Sequence, residues 1–198
     1  GSFEFQPDAG PFVVTIPGDV PVVGQLTLRE AVAKAIVGCA HPAVIDLGTV
    51  TGPVTLLSQI ALDGDIVING PAGGLIEIQG PNAAGNRVFA VPANRVVQLN
   101  NLLITKGQET IGGGIRNSGT LTLTNCQLAS NIAPDRGAAI ANDPGQSLTL
   151  VNCTVGHANN AGNFGSGIYN AGTLVMTNVT VSGNISSTGL TGGGIANL

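Results

Sequence analysis

The chain has 198 residues, enough for one domain with a sizeable core. Hydrophobic residues make up 43%, but charged residues only 9%, far below the usual quarter, and aromatic residues only 3% with no Trp. The net charge of −4, with seven scattered Lys and Arg, argues against nucleic acid as a partner, and no apolar run approaches the roughly 18–20 residues of a membrane span.

Residues 1–42 read as an N-terminal segment carrying the one clear helix, over about 27–37 in LTLREAVAKAI. Thr27 and Glu30 form a capping box, and Leu28, Ala31, Val32, Ala35 and Ile36 form an apolar face. A solenoid needs its open end covered, so this helix is the expected plug. No charged-then-apolar leader opens the chain. Gly1-Ser2 looks like a tag remnant, so the leader expected of an exported protein would precede it.

From about 43 the strands begin irregularly, at AVIDL, PVTLL, DIVINGP and LIEIQG. Regular coils start near 85 with NRVFAVPANRVVQLNNLLI. Clear repeats open with GGGI at 112, GAAI at 137, GSGI at 165 and GGGI at 192, spaced by 25, 28 and 27 residues. That period signals a solenoid. The apolar residues alternate with a period of two, as in strands, and about three short strands fit each unit. The expected fold is all-β: a right-handed parallel β-helix of ~27 residues per coil, spanning 43–198. Its inward columns are Ile115, Ile140, Ile168 and Ile195; Val97, Leu121, Leu148 and Leu174; Leu99, Leu123, Leu150 and Met176; Leu102, Cys126, Cys153 and Val179; and Ile104, Leu128, Val155 and Val181.

Every Asn lies at or after Asn69, and eight of them fall into two columns. One is Asn101, Asn125, Asn152 and Asn178. The other is Asn117, Asn142, Asn170 and Asn197. Asn accepts left-handed geometry at corners, and stacked amides bond to the coils above and below. These columns are expected to be structural. The recurring glycines are expected at turns or close approaches, since no Gly-Lys pair of a phosphate loop occurs.

Two features resemble a known group. The run Thr27-Leu28-Arg29-Glu30-Ala31-Val32, with Ala35, resembles the CSLREA-type N-terminal motif of secreted and surface bacterial β-helix proteins. The GG-x-I units resemble repeats of polymorphic outer-membrane proteins. The motif's Cys-Ser is Leu26-Thr27 here, and the repeat's Phe-x-x-Asn is Leu128-x-x-Asn131 and Val181-x-x-Asn184. The resemblance implies export, surface display and adhesion.

Chemistry-bearing groups are sparse. A polysaccharide hydrolase needs two carboxylates held together. Asp63 with Asp65, and Asp135, Arg136 and Asp143 at one edge of adjacent coils, are the candidates; solvated turns are the competing assignment. No metal site is expected, because Cys39-x-His41 has no second pair at ligand spacing. Cys126 and Cys153 should be buried stacked thiols rather than a disulfide. Asn152, Asn178 and Asn184 start glycosylation sequons, but no glycan is expected on the two corner residues Asn152 and Asn178.

From Pro144 to Leu198, 55 residues carry no Asp, Glu, Lys or Arg. The outward strand positions are Thr120, Thr122, Thr124, Ser147, Thr149, Thr173 and Thr177, broken by Val151 and Val175. This neutral face is the candidate binding face, although Thr also favours strands for packing alone. The expectation is a non-enzymatic extracellular or cell-surface scaffold for adhesion or self-assembly, without cofactor, whose partner is another copy or a surface glycan or protein. At GGGIANL a further coil begins without a polar cap, so either the chain is a piece of a longer protein or this end stacks head-to-tail on another copy. A polysaccharide-binding or -cleaving enzyme is the alternative, and ice or solid-surface binding through the Thr face is the third.

Overall fold

The computed structural model describes residues 10–38, 42–188 and 192–198. Parallel strands stack into a β-solenoid of about six turns. The alternating runs become strands that bury every second residue, so each coil contributes one strand to each sheet. The first sheet has seven strands: Phe12–Val13, Ala43–Asp46, Ile66–Asn69, Val96–Asn100, Thr120–Thr124, Ser147–Val151 and Thr173–Thr177. The second has six: Ile60–Ala61, Phe89–Val91, Ile115–Asn117, Ile140–Asn142, Ile168–Asn170 and Ile195–Asn197. The third also has six: Val54–Thr55, Ile76–Gln79, Leu102–Thr105, Gln127–Ala129, Thr154–Gly156 and Thr180–Ser182.

The later coils differ from the expected three strands. They add a fourth sheet of two-residue strands, Ile132–Ala133, Asn160–Ala161 and Ile185–Ser186. Two residues are too few to show an alternation, so pattern alone misses them.

The inward columns stack in the expected register. Leu121 pairs with Val97 and Leu148, and Leu148 with Leu174. Ile115 pairs with Phe89 and Ile140, and the column continues through Ile168 to Ile195. Most of these side chains are fully buried, while Met176 in the last strand of the first sheet is 43% exposed. At about 1.5–3 kcal/mol per buried aliphatic side chain, this continuous column supplies the main driving force. Phe89, fully buried, is the large aromatic exception in an aliphatic interior.

The helix α1(Leu28–Gly38) follows its capping signals. The Thr27 hydroxyl accepts from the Glu30 amide at 3.1 Å, and Glu30 accepts from the Thr27 amide at 3.0 Å. Leu28, Ala31, Val32 and Ala35 are buried. Ile36 departs from the expected face and is 38% exposed, because the buried stripe is narrower than its full apolar arc. The segment before the helix is itself tied into the fold. Phe12–Val13 adds a parallel strand beside Ile45 and Asp46. Asp19, its side chain 1% exposed, receives bonds from Arg29 at 2.7 Å and from the Leu57 amide at 2.8 Å. Arg29 also donates to the Ser58 and Gln59 carbonyls, so helix, leading segment and first coil are pinned at one point.

Candidate functional site

The two expected asparagine columns are present, but they work differently. Asn101, Asn125, Asn152 and Asn178 all have left-handed backbone, with φ between 53° and 57°. Each later amide donates to the one before it, at 3.2, 3.3 and 2.9 Å. This ladder is exposed apart from half-buried Asn101. Asn117, Asn142, Asn170 and Asn197 instead end strands of the second sheet and do not have positive φ. Their corner is made by side chains: Asn117 Oδ1 accepts from the Gly119 amide and Asn170 Oδ1 from the Gly172 amide. Asn117 donates to Asn142 at 2.7 Å, Asn142 to Asn170 at 2.7 Å and Asn170 to Asn197 at 2.6 Å. Asn117 and Asn142 have no exposed surface, so every polar atom must find a partner inside.

A third ladder escaped the sequence reading. Asn131 donates to Asn159 at 3.0 Å, and Asn159 to Asn184 at 2.9 Å. Asn131 also accepts from the Gly107 amide and donates to the Ile104 carbonyl. Asn131 follows Leu128 by three residues, whereas Asn159 follows Val155 by four. The extra residue is absorbed where His157 and Ala158 both take positive φ, at 54° and 64°. All three sequon asparagines have their amide nitrogens engaged, Asn152 and Asn178 as ladder donors and Asn184 as donor to the Val155 carbonyl.

The first glycine of each repeat opening, Gly112, Gly137, Gly165 and Gly192, has φ between 52° and 66°, as a left-handed turn requires. At Gly113 a side chain would drive into the Ile132 carbonyl, so the chain also needs glycine for close approach.

The candidate face is the outward side of the first sheet. Its later rows are Thr120, Ser147 and Thr173; Thr122, Thr149 and Val175; and Thr124, Val151 and Thr177. All nine are exposed or half-buried. The rows continue towards the N-terminus through Val96, Gln98 and Asn100, still without charge. The structure thus brings every predicted face residue into one grid.

The acidic candidates are engaged with arginines, a hydroxyl and backbone amides. Asp63 binds Arg95 at 2.8 Å, while Asp65 accepts from the Val96 amide. Asp143 binds Arg116 at 3.0 Å and Ser118 at 2.6 Å, not Arg136. Arg136 lies 3.5 Å from Asp135 and 4.8 Å above the Tyr169 ring. Tyr169 stands in the outward row of the second sheet that runs Ala90, Arg116, Ala141, Tyr169. Arg87 comes within 3.8 Å of Glu109. A hollow of about 240 Å³ beside the third sheet is lined by Val50, Pro53, Pro71, Leu75 and Glu77, and Glu77 already accepts from Thr105.

Cys126 and Cys153 are buried free thiols in one column, each facing backbone carbonyls, Leu99 and Thr124 for the first and Leu123 and Val151 for the second. The hydrogen bond shared with Cys153, and then burial, push the Cys126 thiol pKa well above its ordinary value. Cys39 and His41 lie outside the described residues. Among the described residues no three His, Cys, Asp or Glu side chains gather as metal ligands, and no helix is long and apolar enough to cross a membrane. No protein-family model, curated protein or solved structure matches the chain.

Proposed function

We propose that the chain is a non-enzymatic scaffold, exported and displayed outside the cell, whose first sheet adheres to a partner surface. The observation that carries this reading is the outward grid of Thr, Ser and Val: regular in register, uncharged and backed by a continuous core. Soluble surfaces ordinarily mix charges, and an uncharged sheet face suits contact with an extended partner. The carboxylates that a hydrolase would need are held instead in structural bonds with Arg95, Arg116 and backbone amides. Residues 27–35, similar to the CSLREA-type motif, support export by analogy.

A glycan-array screen with oligomer sizing tests the reading. The expected result is binding that is lost in a Thr122→Lys, Thr149→Lys variant of unchanged melting temperature. Release of reducing ends from any bound glycan would refute the non-enzymatic part. Assembly into filaments by end-to-end stacking belongs to the same proposal, and a clean monomer by light scattering at high concentration would remove it.

The grid also favours a second reading, binding to ice or another ordered solid. Its rows repeat at the coil spacing of about 4.8 Å and its outward residues alternate along strands rising about 3.3 Å per residue. Thermal hysteresis in the wild type, lost on Thr122→Lys, is the expected outcome for that reading.

A further inference from the structure

After Gly85, every charged residue except Arg95 and Lys106 falls into three pairs, Arg87 with Glu109, Arg116 with Asp143 and Arg136 with Asp135, and Arg87 also feels the charges of Arg116 and Asp143. The pairs lie along the second sheet, around the outward row that carries Arg116 and Tyr169. Arg87, Arg116 and Arg136 enter from three successive coils, preceding or within the strands Phe89–Val91, Ile115–Asn117 and Ile140–Asn142. Coils rise about 4.8 Å each, so the three arginines start from successive levels of the solenoid, Arg116 within its strand and Arg87 and Arg136 shortly before theirs.

Two of the three are poorly partnered. Arg116 holds Asp143 by hydrogen bonds, but Arg87 reaches no carboxylate closer than 3.8 Å. Its side chain is 12% exposed, and its Nε is buried with no hydrogen-bond partner. Arg136 stands 3.5 Å from Asp135, beyond good hydrogen-bond distance, with its guanidinium over Tyr169. A buried donor left unpaired is costly and rare in native folds. Burial and the nearby Arg116 also lower the Arg87 pKa, against the raising effect of Glu109. Every other described arginine makes hydrogen bonds at 3.1 Å or less.

The geometry points to this face as a binding site for an acidic polysaccharide, whose oxyanions take the open donors of Arg87 and Arg136 beside Tyr169. The planar guanidinium fork matches carboxylate and sulfate oxygens. Arginines on successive coils suit anions that repeat along an extended polymer better than a single small anion. Tyr169 offers an amphipathic edge or face to a sugar ring. Glu109 and Asp135 compete with the ligand, so affinity per chain is modest and salt-sensitive. The site is on a different sheet from the Thr grid, so its failure would leave the scaffold reading standing.

The test is calorimetric titration of the full chain at low ionic strength with four probes: oligogalacturonate, sulfated dextran, neutral dextran and oligoglutamate. Binding of either acidic glycan, weakened by added salt, is expected, with no binding of neutral dextran. Comparison of the first two probes tells carboxylate from sulfate. Arg136→Gln should weaken binding by about tenfold or more, the worth of a charge-assisted bond, and Arg136→Lys by less. Arg87→Gln should do the same, provided its circular dichroism is native; Arg136→Gln carries the test alone if it is not. The inference is overturned if neither acidic glycan binds, if the Arg136 variants bind as tightly as the wild type, or if oligoglutamate binds more tightly than both glycans.

Discussion

Replacing Asn142 by Ala should cost the fold several times more than replacing Asn152 by Gly, although both are rungs of asparagine ladders. The Asn142 amide donates to Asn170 at 2.7 Å and to the Gln146 and Thr173 carbonyls at 3.2 Å, and it accepts from Asn117 at 2.7 Å. All four bonds join groups in the interior or at its margin, and Asn142 has no exposed surface. At about 0.5–1.5 kcal/mol net per bond, with more where a partner is left unsatisfied, the loss is about 4 kcal/mol. Asn152 makes two ladder bonds, at 3.3 and 2.9 Å, and is exposed to solvent, which replaces them. Its φ of 54° is one that glycine adopts without strain, so Asn152→Gly should cost about 1 kcal/mol or less. Urea denaturation followed by circular dichroism measures both, and hydrogen exchange at residues 141–147 locates the loss. If Asn142→Ala destabilises no more than Asn152→Gly, burial does not set the worth of a rung and the argument fails.

Other consequences are as direct. Asp19→Ala should destabilise by about 3 kcal/mol, the low end for a broken buried pair because Arg29 is 35% exposed. Thr27→Ala should cost about 1 kcal/mol through loss of the cap, and both are read from the urea midpoint. The raised Cys126 pKa has a definite sign. The unfolded thiol ionises near pH 8.5 while the folded one stays protonated, so its contribution is fully present below that pH and falls as pH rises above it, whereas Cys153, lowered to about 7 by the same bond, adds stability as pH rises from about 7 to 8.5. The slope should reach about 1.4 kcal/mol per pH unit and shrink in Cys126→Ala. Peptide mapping after iodoacetamide at pH 9 should leave Cys126 unlabelled in the folded chain.

Local chemistry made much of this protein legible from its residues. The pleat sends alternate side chains to opposite sides, so the alternation at Leu121 and Leu123 identified both the core columns and the outward Thr rows. The Thr27–Glu30 box and the left-handed corner at Asn101, Asn125, Asn152 and Asn178 are likewise decided within a few residues of chain. Repetition then aligned the coils, since like residues recur at 25 to 28 positions.

Contacts between coils depend on register at the scale of single residues, and there the tertiary structure decided. One extra residue near His157 concealed the column of Asn131, Asn159 and Asn184 until stacking realigned it. The second asparagine column had the expected position but holds its corner through side-chain bonds, because a strand ends there with ordinary backbone. Asp143 chose Arg116, one coil away, over Arg136, nearer in sequence. The gathering of Arg87, Arg116, Arg136 and Tyr169 on one face has no trace in any local pattern. Only stacking at a coil spacing of about 4.8 Å brings residues dozens of positions apart within reach of one another.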